Sequence, residues 1–209
     1  RRMEITLQQA ISLFIVAKET EGRSRKTTEW YRNMLERFGE QTEDGPDGLL
    51  RKVGVEQARS FVASLQSKES RYENHPFLSP REGGLSPSTV HGYVRAIKAF
   101  GSWLHAEGIV AVDPFAKLKR PKLPNVVIKI LTEDEIRTLV EAINPNTYLG
   151  GRQYAMVLLL LDTGIRAGEL CGLTLENTYL DESKILVRGK GEKERIVPFA
   201  NATKNALAR

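Results

Sequence analysis

The sequence predicts a mainly α-helical protein with one small β-hairpin near its C-terminal end. Three observations predict it. Apolar residues recur at helical spacing in several windows, Ser and Thr caps precede them, and a Gly-rich basic turn separates two short β-prone runs. The longest apolar run, Ala155 to Leu161, falls far short of the ~18 residues a bilayer-crossing helix needs.

Thr6 to Glu19 carries Leu7, Ala10, Ile11, Phe14, Ile15 and Ala17 on one stripe, the pattern of an amphipathic helix. Gly22 stops it, and Arg23, Arg25 and Lys26 form a basic turn. Thr27 or Thr28 is expected to cap a second helix through Phe38, with Trp30, Leu35 and Phe38 turned inward. The acidic stretch Glu40 to Gly48 reads as loop. Val55 to Leu65 reads as a third helix, with Val55, Ala58, Phe61, Val62 and Leu65 inside.

Glu69 to Gly84 has no periodicity and holds His75-Pro76, Ser79-Pro80 and Gly83-Gly84, so it is expected to be a long loop of a functional or mobile kind. Ser86-Pro87 is a helix start, because proline's missing N–H costs nothing in the first turn. That fourth helix runs to about Glu107, buries Val90, Tyr93, Val94, Ile97, Phe100, Trp103 and Leu104, and stops at Gly108.

Asp113 to Pro124 (DPFAKLKRPKLP) contains three prolines and four basic residues, which excludes a regular helix or a central strand. It is the expected boundary, dividing the chain into 1–112, a linker at 113–125, and 126–209. Beyond it, Thr132 and Glu135 form a capping box for a helix to about Ile143. Further helices are expected over Arg152 to Leu161 and Arg166 to Gly172, and strands over Lys184 to Arg188 and Glu194 to Phe199.

The net charge of +5 is unevenly spread. Arg1 to Asn125 holds 20 basic and 15 acidic residues, whereas Val126 to Arg209 holds 11 of each. A polyanion-binding surface is therefore expected mainly in the first part. The single cysteine, Cys171, excludes an internal disulfide framework and reads as a buried, inert thiol in an apolar helix. With no signal peptide and no spanning segment the chain reads as cytoplasmic, and its ends read as those of a piece of a longer chain.

Two local patterns carry chemistry. In Thr163-Gly164-Ile165-Arg166-Ala167-Gly168-Glu169-Leu170 a Gly turn ends one helix and an arginine opens the next. Its planar five-donor fork suits a phosphate, and Glu169 at i+3 can hold it. The same eight residues also fit a solvated Arg–Glu helix pair. In Val187-Arg188-Gly189-Lys190-Gly191-Glu192-Lys193-Glu194-Arg195-Ile196-Val197-Pro198 the glycines let a tight turn bring Lys190 close to a nucleic-acid backbone. A lysine with a lowered pKa can serve as general acid. Taken alone, this stretch fits a solvated hairpin tip with lysines for solubility better.

Taken together, T-G-I-R-x-x-E-L followed 24 residues after its Arg by the Lys of G-K-G-x-K-x-R-x-x-P resembles the catalytic domain of tyrosine recombinases, the phage integrase family. The L-T-E-D-E-I run at Leu131, the linker at Asp113 and the preceding four-helix unit are similar to the same family, so the resemblance covers nearly the whole chain. It implies an N-terminal SAM-like four-helix core-binding domain followed by part of an α+β catalytic domain. It also implies metal-free, cofactor-free strand transfer on double-stranded DNA through a 3′-phosphotyrosyl intermediate, by a protein that self-associates as a tetramer on its core sites. Arg166 would stabilise the charge on the scissile phosphate, Lys190 would protonate the leaving oxygen, and Glu169 would support them.

The family's H-x-x-R, its further His or Trp and its Tyr nucleophile match nothing after Arg195. His75, His91 and His105 all lie in the first part, and Tyr154 and Tyr179 read as packing residues. These 209 residues are therefore expected not to cut DNA. Two other readings stay open, a non-catalytic DNA-binding fragment or regulator of recombination sites and a type IB topoisomerase-like enzyme.

In the family the second and fourth helices approach the major groove. The resemblance thus nominates Arg23, Arg25, Lys26, Thr27, Thr28 and Arg32 on one side and Ser88, Thr89, His91, Arg95 and Lys98 on the other. Lys117, Lys119, Arg120 and Lys122 in the linker and Lys193 at the hairpin tip are expected to follow phosphates.

Overall fold

The computed structural model describes residues 4–71, 77, 79, 81–125, 127–189, 191 and 193–209. By internal contacts the chain divides into two units, Arg1–Val126 and Val127–Arg209.

The first unit is built from α1 (Leu7–Thr20), α2 (Arg25–Glu40), α3 (Val55–Gln66) and α4 (Pro87–Ala106). Thr6 and Gln9 close a reciprocal capping box on α1, and Leu7, Ala10, Ile11, Phe14 and Ile15 are all buried, as their spacing predicts. The cap of α2 is Ser24, not Thr27 or Thr28, so Arg25 and Lys26 belong to the first helical turn rather than to a preceding loop. Ser24 wins because its oxygen accepts from the Thr27 N–H, satisfying an otherwise orphaned donor. Ser86 caps α4 with Pro87 in the first turn, and the helix stops before Gly108 at φ +70°.

The ends of the expected long loop are pinned. Ser70–Arg71 (β1) pairs antiparallel with Arg81–Glu82 (β2). His75 and Pro76 lie outside the described residues.

The core of this unit is aromatic. Phe14 packs edge-on against Tyr31, Phe100 and Trp103, and Phe38 meets Phe61 and Phe115. Each fully buried Phe contributes about 1.5–3 kcal/mol of transfer free energy. The first half of the proline-rich segment joins this core, with Phe115 and Leu118 both buried. Asp113 fixes it there, accepting from the Phe115 N–H at 2.8 Å and from the Ser102 hydroxyl at 3.1 Å. Gly101 of α4 makes the approach possible, since a Cβ there would lie 2.3 Å from the Asp113 carboxylate and 2.7 Å from the Phe115 ring.

The second unit comprises α5 (Glu133–Glu141), α6 (Tyr148–Thr163), α7 (Ala167–Cys171), strands β3 (Thr178–Tyr179), β4 (Lys184–Arg188) and β5 (Glu194–Pro198), and α8 (Asn201–Leu207). The strands form one antiparallel sheet in the order β3-β4-β5, with Val187 opposite Arg195 and Arg188 opposite Glu194. Leu159, Ile165, Ile185, Val187 and Phe199 make its core.

α6 starts four residues before the expected Arg152. Thr147 caps it through the Gly150 N–H, and Gly150 sits where a Cβ would be 1.9 Å from the Asn144 carbonyl. Gly150 is here a close-packing device inside the helix. α8 has no cap of its own; Asp162 supplies one from α6, accepting from the Ala200 N–H at 2.6 Å and the Thr203 hydroxyl at 2.8 Å. Cys171 is exposed, contrary to the buried thiol expected, because α7 is only five residues long and turns Glu169 rather than Cys171 inward. Tyr179 is likewise not a core residue: its ring is partly exposed and carries the Lys184 ammonium 5.4 Å from its centroid. Tyr154 is half-buried. Among the described residues no helix is long and apolar enough to cross a membrane.

Candidate functional site

The Thr163-Gly164 turn sets the first part of the site. Gly164 adopts φ +62° and ψ 21°, the left-handed C-terminal cap that ends α6 and that only glycine enters without strain. The chain then reverses through buried Ile165, leaving Arg166 extended at the start of α7. Glu169, three residues on, returns its carboxylate to the Arg166 N–H at 2.9 Å.

That carboxylate is the centre of the cluster. Its side chain is 5% exposed, and it accepts from Arg166 Nη1 at 2.9 Å and from both terminal nitrogens of Arg195 at 2.8 Å, one on each oxygen. Burial alone would raise its pKa. The Arg195 guanidinium, then the Arg166 N–H and side chain, outweigh that and hold it down at about 2. Glu169 reciprocally raises the Arg195 pKa above its ordinary value.

Arg195 reaches Glu169 because it faces buried Val187 across β4 and β5. The hairpin closes just beyond, with the Gly189 N–H donating to the Lys193 carbonyl at 2.7 Å and Gly191 at φ +75°. Gly189 lies against the cluster; a Cβ there would be 3.4 Å from a Glu169 oxygen and 3.6 Å from Arg195. The two sequence patterns, 24 residues apart, thus meet at one carboxylate. Lys190, the expected general acid, lies outside the described residues, and Lys193 is exposed.

Sequence reading assigned no role to Arg195, although the motif contains it. No local signal marks it: Glu194, Arg195 and Ile196 are all exposed, and Arg195 is aimed at Glu169 only by its register opposite buried Val187.

In the first unit Arg23, Arg25, Lys26, Ser88 and Arg95 are exposed, and Thr27, Arg32, Thr89 and His91 are half-buried. Arg95 stacks on Trp30, which joins α4 to α2. Several nominated residues are already engaged: Arg23 pairs with Glu21 and Arg25 with Glu29. Thr28 is buried with its hydroxyl on the Arg25 carbonyl, and Lys98 donates to the carbonyls of Phe115 and Ala116. Lys117, Lys119, Arg120 and Lys122 are exposed. Among the described residues no group of three or more His, Cys, Asp or Glu is arranged to hold a metal ion.

Residues 129–209 match the phage integrase family. The tyrosine recombinase XerC of Thermodesulfovibrio yellowstonii is 34% identical over 190 residues, 91% of this chain and 57% of the relative. The tyrosine recombinase XerD of Vibrio cholerae is 40% identical over 118 residues, 56% of this chain and 39% of the relative. Among solved structures, a lambda integrase tetramer bound to a Holliday junction superposes with a TM-score of 0.73 at 16% identity, covering 98% of this chain and 56% of that one. The chain belongs to the phage integrase family of tyrosine recombinases. It spans little more than half the length of the XerC relatives it matches.

Proposed function

We propose that this chain is the site-recognising and phosphate-holding part of a site-specific DNA recombinase. The observation that carries the reading is the convergence of Arg166 and the β4–β5 hairpin on the one buried carboxylate of Glu169. A guanidinium held by a single terminal nitrogen, and 74% exposed, keeps donors free for the non-bridging oxygens of a phosphate. Fixed positive charge of this kind stabilises the transition state of phosphoryl transfer. Lys190, next to Gly189 in sequence, would protonate the leaving 5′ oxygen.

Residues 1–112 would bind the core site through α2 and α4, residues 113–125 would follow the backbone, and residues 126–209 would hold the scissile phosphate. The lambda integrase tetramer on a Holliday junction and the Tn1549 transposon integrase in complex with circular intermediate DNA support duplex DNA as partner and assembly upon it. No residue of this chain matches the family's tyrosine nucleophile, so the chain alone would bind DNA without cutting it.

The test is anisotropy titration of labelled duplex DNA with the chain, at salt from about 50 to about 200 mM. Affinity should fall steeply with salt, and removing residues 1–125 should abolish footprints at preferred sites. Binding that ignores salt, or an unchanged footprint from the remainder, would refute it. In a form of the protein that carries the nucleophile, Arg166→Ala or Lys190→Ala should leave binding largely intact and nearly abolish cleavage.

A further inference from the structure

We propose that Arg195 is a positioning residue for Arg166, holding the Glu169 carboxylate so that Arg166 keeps a free edge and a net positive charge for DNA phosphate. The inference rests on the strand-transfer reading above and adds a residue that the reading leaves idle.

Three observations support it. The Arg195 fork is committed, with each terminal nitrogen 2.8 Å from a different Glu169 oxygen, whereas Arg166 gives one terminal nitrogen and its backbone N–H. The exposures follow the same order, 43% for the Arg195 side chain and 74% for Arg166. The charges decide the consequence. Two guanidiniums and one ionised carboxylate leave a net positive site; without Arg195 the carboxylate and Arg166 cancel. A buried carboxylate stripped of its bidentate partner would also draw Arg166 inward, since an unpaired buried charge is costly. Arg195 further ties β5, and through Gly189 the end of β4, to the start of α7.

The readout is the slope of log affinity against log salt for the full chain on a labelled duplex, which counts the phosphates neutralised. Arg166→Gln should make the slope shallower by about 0.9, so that the loss of affinity over a fourfold salt increase shrinks by roughly 3.5-fold. Arg195→Gln should do the same without touching phosphate, and Arg166→Gln/Arg195→Gln should lose no more than Arg166→Gln alone. Glu169→Gln/Arg195→Gln should return to the wild-type slope, because it removes the carboxylate that Arg195 offsets.

A wild-type slope in Arg195→Gln overturns the proposal, and so does a second step of about 0.9 in the Arg166→Gln/Arg195→Gln chain, which would place Arg195 on a phosphate of its own. Should Arg195→Gln fail to fold, Glu169→Gln/Arg195→Gln decides: a wild-type slope supports the role and a slope like that of Arg166→Gln overturns it. Absence of salt-dependent binding by the wild-type chain, or no effect of Arg166→Gln, would instead refute the DNA reading itself.

Discussion

Arg95 stands over the indole of Trp30, its guanidinium carbon 4.5 Å from the ring centroid. The stack crosses from α4 to α2 and holds a long, flexible cation in one direction, which lowers the conformational entropy it would lose on contacting DNA. Trp30 in turn packs on Tyr31, part of the aromatic layer around Phe14. The nominated DNA-binding face thus rests on the core.

Arg95→Ala should weaken duplex binding by at least about 1 kcal/mol, roughly fivefold, and relax sequence preference if the fork reads a base edge. Trp30→Phe, which keeps a weaker platform, should cost less than Arg95→Ala in affinity and about 1 kcal/mol or less in stability. Equal binding by Arg95→Ala and wild type in an anisotropy titration would remove this residue from the interface.

Much of this was legible in the sequence, and the failures have physical causes. The α1 stripe and the Ser86-Pro87 start were readable because burial and capping there depend on neighbours within one turn. Gly150 misleads because its value lies in contact with the Asn144 carbonyl, which no periodicity reveals. β3 and α8 escape because two residues pair only once β4 exists, and seven residues hold only with a cap from Asp162. The site shows the same division. Arg166 and Glu169 are i, i+3 neighbours and visible locally, whereas Arg195 joins them only through sheet register.

The cluster predicts a specific acid sensitivity. Glu169 is held at about 2 in the folded chain against an ordinary 4.5, so folding favours its ionised form. The resulting stabilisation is fully present above about 4.5 and is lost as pH falls through about 2. Carboxyl carbon shifts of Glu169 should titrate with a midpoint near 2, and amide signals of Ile185 and Val187 should weaken over the same window. In Glu169→Gln that part of the acid dependence should vanish. A Glu169 midpoint near 4.5 would show that the two arginines do not hold it.

Phe115 converts part of a proline-rich linker into core. It is fully buried, with its ring centroid 5.8 Å from that of Phe38. Phe115→Ala should cost about 3–5 kcal/mol, the range for emptying a buried aromatic site. Both tryptophans, Trp30 and Trp103, lie in the first unit, so urea unfolding followed by their fluorescence reports on that unit. The midpoint should drop sharply, with Phe115→Leu intermediate. A loss under about 1 kcal/mol would mean that the segment is not anchored in solution.

Asp162 controls α8 from a distance of 38 residues to its first partner. One carboxylate oxygen takes both the Ala200 N–H and the buried Thr203 hydroxyl, so it replaces the cap that Ala200 cannot provide. Asp162→Ala leaves two donors without an acceptor and should cost about 1–2 kcal/mol locally. Asp162→Asn, which keeps one acceptor oxygen, should retain most of that. Hydrogen exchange separates this local effect from global unfolding. In Asp162→Ala the Lys204 amide, which donates to the Ala200 carbonyl, should exchange at least about fivefold faster, while Leu159 inside α6 changes little. Equal protection of Lys204 in wild type and Asp162→Ala would show that α8 is held by Thr203 and Ala206 packing instead.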